Sequence, residues 1–119
     1  MSNSVKLTNK NKSQHGELLS NRNNSPFILS FKYVLQTGYK FTQLSKADLK
    51  IFQSFLDKIS NMTFADVDKL YRRNSDKNDT YLAKQVIHYA ISKKFRLHGI
   101  IEGICFFVVR LDANHNVHK

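Results

Sequence analysis

The chain has 119 residues, 41% of them apolar and 24% charged, with one Pro, one Cys and no Trp, which is enough for one core rather than two. Nineteen Lys and Arg against nine Asp and Glu give a formal charge of +10 and a pI near 9.9, which points to an anionic partner and says nothing about fold. No run approaches the roughly 20 apolar residues of a membrane helix, the N-terminus lacks the apolar core of a signal peptide, and the lone Cys105 excludes an internal disulfide framework or Cys-rich zinc site; a cytoplasmic protein is expected.

Residues 1–25 hold four basic residues and one acid, net +3, among many Asn and Ser. Such a stretch has too little to bury to offset its ordering entropy, so 1–25 is expected to be a flexible basic arm and 26–119 a single domain. After Pro26, Phe27, Leu29, Phe31, Tyr33 and Leu35 occupy every second position, the alternation of a half-buried strand. Thr37-Gly38 supplies a turn and Tyr39 to Leu44 a short second strand. Ser45 followed by Asp48 is a capping pattern, and Leu49, Phe52, Phe55, Leu56 and Ile59 recur at helical spacing, predicting a helix over 46–61. Thr63 with Asp66 repeats the start signal, and Phe64, Val67, Leu70 and Tyr71 form a second stripe ending near Arg73.

Residues 72–79 contain no apolar side chain and read as an exposed loop, whose Arg72 and Arg73 are candidate nucleic-acid contacts. Tyr81 to Ser92 fits both periods: Leu82, Val86, Tyr89 and Ala90 suit a helix capped by Asp79 or Thr80, while alternation suits a strand. The helix is preferred. Phe95 to Ile101 and Ile104 to Leu111 are two β-rich apolar runs with only Glu102-Gly103 between them, predicting a tight hairpin. The fold class is therefore α+β, an antiparallel sheet with an N-terminal strand, two to three helices and a C-terminal β-hairpin.

Ten basic residues and four acids, net +6, fall in residues 69–119, so the charge excess sits mainly in the C-terminal half. A turn at Glu102-Gly103 would set His98 opposite Phe107 and Arg96 opposite Val109, with Arg96 and His98 on one face about 7 Å apart. Arg can hold a phosphate bidentately and His can act as general acid or base near neutral pH. Asp112-Ala113-Asn114 reads as a turn that places His115 at a strand end. Asp112, His115 and His118 are metal-ligand types without a complete tetrahedral motif, and neither a metal nor another cofactor is expected. Cys105, within an apolar strand, reads as a buried hydrophobe rather than a nucleophile.

Helices followed by an apolar hairpin with Arg96-Leu97-His98-Gly99, then Asp112-Ala113-Asn114-His115 and a basic end, make the last 25 or so residues resemble the C-terminal sheet of small bacterial toxins of the RelE and YoeB type. They also resemble the endings of small phage and mobile-element proteins. The toxin resemblance implies metal-independent cleavage of messenger RNA on the ribosome, with the RNA's own 2′-hydroxyl as nucleophile. It implies Arg96 on the scissile phosphate, His98 or His115 as acid/base, and Lys93, Lys94, Arg110 and Lys119 on RNA. RNA or the ribosome, and an antitoxin or other acidic protein, are the implied partners. The alternative is a noncatalytic basic protein that binds nucleic acid or an acidic protein. Convergence of Arg96, His98 and His115 on an open concave face is what separates the two.

Overall fold

In the computed structural model, which describes residues 22–117, the two helices that follow residue 45 each begin where a Ser or Thr sits three residues before an Asp. Helix α1 spans Lys46–Ile59 and α2 spans Phe64–Tyr71. Ser45 Oγ accepts from the Asp48 backbone N–H at 3.1 Å while the Asp48 carboxylate accepts from the Ser45 N–H at 2.9 Å. Thr63 and Asp66 repeat the exchange at 3.2 and 3.0 Å. Each box satisfies donors that the first helical turn leaves unpaired. α1 buries Phe52, Phe55 and Ile59, and α2 buries Phe64 and Val67. Leu49 and Leu70, although on the apolar stripes, are 44% and 54% exposed, so the buried stripe is narrower than the sequence pattern.

The helices pack on a five-stranded sheet of order β1-β7-β6-β5-β2, formed by β1 (Leu29–Ser30), β2 (Arg72–Arg73), β5 (Ile87–Ala90), β6 (Arg96–Glu102) and β7 (Cys105–Asp112). β3 (Thr80–Tyr81) and β4 (Lys84–Gln85) form a separate small hairpin. The class is α+β as predicted, with strands at the C-terminus, but the sheet is mixed: β1 runs parallel to β7 while the other pairings are antiparallel. The expected first strand is reduced to two residues. Beyond Ser30 the chain follows the rim of the sheet, where Phe31 is 42% exposed and lies 5.5 Å from the Phe41 ring. The predicted strand over 39–44 is instead a 3-10 turn, Phe41–Gln43, with Gln43 Oε1 accepting from the Lys40 N–H at 2.9 Å.

No third helix forms over 81–92. Leu82 and Ala83 have φ of +50° and +63°, which makes a two-residue reversal between β3 and β4 and stops any helical continuation. Ile87–Ala90 is then a strand paired on both sides, with β6 and with β2, so period two prevails over period 3.6. Because Ala83 carries a Cβ in the left-handed region, Ala83→Gly is expected to stabilise the protein by about 1 kcal/mol, read as a higher urea midpoint with an unchanged slope.

The C-terminal hairpin turns at Gly103-Ile104, not at Glu102-Gly103: Glu102 pairs with Cys105, and Gly103 takes φ +59°. Ile100 faces Phe107 and Gly99 faces Val108; one residue of β7, Val109, is then skipped, and the register resumes with His98 opposite Arg110, Leu97 opposite Leu111 and Arg96 opposite Asp112. The expected pairs His98/Phe107 and Arg96/Val109 are thus replaced. Moving the turn by one residue puts glycine at the position with positive φ, and the bulge adds the remaining shift. Toward the helices, Leu97, Phe106, Val108, Leu111, Ile87 and Tyr89 join the helical side chains and Phe27 in one core. On the other face, Val86, Ile100 and Val109 form a smaller cluster covered by Tyr33, Tyr81 and Phe107.

Candidate functional site

Directly opposed residues of an antiparallel pair share a face, so the register sets His88 of β5, His98 of β6 and Arg110 of β7 side by side on the face turned from the helices. The two imidazoles stack with centroids 3.7 Å apart and planes 22° from parallel. Asp79, from the loop before β3, closes the row. Arg110 Nη2 donates to its Oδ1 and Oδ2 at 2.6 Å each, and His88 Nε2 lies 3.0 Å from Oδ2. An ionised carboxylate only accepts, so His88 carries its hydrogen on Nε2. Burial by itself would raise the Asp79 carboxyl pKa; the hydrogen bonds and charges of Arg110 and His88 outweigh burial and hold it below the usual carboxylate value.

This cluster is internal. His98 is fully buried, and the side chains of His88, Arg110 and Asp79 are 4%, 6% and 12% exposed. Its mechanical effect is to hold residues 74–86 against the sheet, helped by Val86 packing with Ile100 and Val109 and by Tyr81 lying 5.7 Å from Tyr33; the Val86 N–H donates to the Asp79 carbonyl at 2.8 Å and closes the segment on itself. The Tyr33 hydroxyl donates to Glu102 at 2.5 Å, and this hydrogen bond raises the phenol pKa further than burial and charge do.

Arg96, His98 and His115 do not meet on one open face. Arg96 donates from Nη1 to the Ser92 and Lys93 carbonyls at 2.9 and 3.1 Å, closing the β5–β6 turn. Burial first, and the Arg73 charge second, lower its pKa, with Asp112 opposing them. Asp112, 1% exposed, accepts from the Asn116 and Val117 N–H groups at 2.8 Å each, folding the segment that carries the half-buried His115 at φ +53°. Among the described residues no group of three or more His, Cys, Asp or Glu side chains is placed to hold a metal. Arg110, expected on RNA, faces inward, whereas Lys93 and Lys94 are exposed on the β5–β6 turn. His118, Lys119 and residues 1–21 of the expected 1–25 arm lie outside the described residues, and residues 22–24 at its end are helical.

Arg72 and Arg73 are exposed as expected, but as β2, the edge strand of the sheet rather than a free loop. With Asn74, Ser75, Lys77 and Gln85 they line a groove of about 420 Å³ that contains no acid. Gln85 Nε2 donates to Ser75 Oγ at 3.2 Å across it. Arg72 meets Asp68 at 3.3 Å one helical turn back, with both side chains more than 40% exposed, a pairing worth little in water. Asp79 thus acts at one remove: buried itself, it holds the segment that supplies Ser75, Lys77 and Gln85. In the sequence Asp79 stands out only as a helix cap and His88 does not stand out at all; the alternation of 86–91 is the available signal for the latter. In comparisons with known proteins, no family model, no curated protein and no solved structure matches the chain.

Proposed function

We propose that the chain is a noncatalytic module that binds the phosphate backbone of RNA through Arg72, Arg73 and Lys77. The observation that carries this reading is the exposed groove at the β2 edge, lined by three cations, three neutral polar side chains and no carboxylate. Guanidinium groups bind phosphate oxygens in a fork, and each phosphate neutralised releases condensed counterions. The Arg73 charge is felt at Arg96, which clamps the Lys93 carbonyl, so the edge and the Lys93-Lys94 turn belong to one positive field. A fully buried His98 favours binding over cleavage, since an acid/base group must reach the proton it transfers.

Fluorescence anisotropy with a labelled single-stranded RNA between about 50 and 200 mM salt tests this. Arg72→Ala/Arg73→Ala is expected to weaken binding and to reduce the log–log salt slope by about 1.4, near 0.7 for each phosphate no longer neutralised. Absence of wild-type binding at the low-salt end overturns the reading. RNA cut by the parent but not by Arg96→Ala would restore the nuclease instead.

A further inference from the structure

A second concave surface lies on the helix-bearing side, between α1 and the β5–β6 turn. It is a cavity of about 340 Å³ with Ile51, Phe55, Tyr71 and Ile91 beneath and Lys50 and Lys58 at its rim. Phe55, 2% exposed, meets Tyr71 edge to face at 5.1 Å, so the floor is held from below. Lys50 and Lys58 stand on the same side of α1 about 12 Å apart, at 1.5 Å per helical residue, and both are exposed. No acid lines the cavity. Asp57, on the same helix, accepts from Gln53 Nε2 at 2.8 Å and lies outside the lining.

We propose that this cavity is the docking site for an acidic peptide segment of a partner protein, one that seats an apolar side chain on the floor between two carboxylates. The size is at the lower end of the range for ligand pockets, and an apolar floor with a few charged groups at its rim is the usual division between affinity and orientation. In an extended segment, acids four positions apart span roughly 13 Å, matching the lysine spacing, and the side chain midway between them, on the same face as the acids, meets the floor. A nucleic-acid backbone, charged at every unit, would leave the half-buried Ile51, Tyr71 and Ile91 without an apolar partner. The cavity shares no residue with the Arg72/Arg73 groove, so the two readings stand or fall separately.

The test is anisotropy at about 150 mM salt with the full chain and a labelled peptide, Ser-Glu-Leu-Phe-Leu-Glu-Ser. Saturable binding is expected, weakened at least about tenfold by Lys50→Glu/Lys58→Glu and held within about twofold in Arg72→Ala/Arg73→Ala. A peptide with Ser in place of Leu-Phe-Leu is expected to bind at least about tenfold more weakly. Both lysines are solvent-exposed, so their replacement leaves the core intact, and a thermal melt of the variant verifies this. No saturable binding of the first peptide, equal binding of the Ser peptide, or unchanged affinity in the lysine variant each overturns the proposal. So does RNA affinity lost in the lysine variant but retained in the arginine variant, which would move the nucleic acid to this cavity.

Discussion

Asp79→Asn is expected to remove about 3 kcal/mol of folding free energy at neutral pH, because taking away one partner of a buried ion pair leaves the other charge uncompensated. Arg110 is then the exposed weakness: its guanidinium is 6% exposed and its two short bonds from Nη2 go to Asp79 alone. The pH dependence has a definite sign. The Asp79 carboxyl is held below its ordinary value in the fold, so its contribution is complete above the unfolded value of about 3.9 and disappears as pH falls through the lower folded value. Urea unfolding of the parent should weaken steeply below about pH 4, and the Asn variant should show a flatter acid limb. RNA affinity should fall with it, since Ser75, Lys77 and Gln85 reach the groove on the segment that Asp79 ties down. A stability loss under about 0.5 kcal/mol, the scale of an ordinary surface change, would mean that the ion pair is not the anchor.

Gly99→Ala is expected to be as damaging, through shape rather than charge. A Cβ at this position would lie 2.5 Å from Phe106 Cε2 and 2.5 Å from the Phe107 carbonyl oxygen. The oxygen belongs to the neighbouring strand and cannot retreat without opening the β6–β7 ladder. The Phe106 ring is fully buried against Tyr89 at 4.9 Å and Phe27 at 5.8 Å, so it has no empty volume to enter. Overpacking of this kind costs about 3 kcal/mol when the backbone must move, which should lower the thermal midpoint by roughly 10 °C in a domain of this size. A variant that melts within about 2 °C of the parent would show that the strands can separate locally at low cost.

The elements read correctly from the sequence are those whose signals are local. Ser45 and Asp48, or Thr63 and Asp66, are three residues apart and close on each other, so the helix starts are visible without any knowledge of the rest of the chain. The apolar runs on either side of Gly103 are equally explicit. β5 is ambiguous in the sequence because four residues are too few to separate one period from the other, and Leu82-Ala83 carries none of the residues that usually mark a left-handed turn. The cationic groove is half visible: Arg72 and Arg73 lie in a charged stretch, but their strand exists only because β5 is there to pair with. Asp79 is hidden for a stronger reason. Its partners lie 9 and 31 residues away, and one of them reaches it only after Val109 has shifted the frame of β7. No window of sequence short enough to show a motif contains that geometry.

The extra residue at Val109 also decides how the hairpin can go wrong. If the pairing next to the Gly103-Ile104 turn continued unbroken, His98 would meet Val109 and Leu97 would meet Arg110, and the guanidinium would be driven into the core among Phe106, Val108 and the helices. An unpaired charge there costs several kcal/mol, more than a strand pair gains. The charge of Arg110 therefore disfavours the unbroken register, and the frame that leaves Val109 over is the one that keeps the guanidinium paired with Asp79. That frame brings Arg110 under Asp79, so the register of the hairpin and the placement of the segment carrying Lys77 are set by one ion pair.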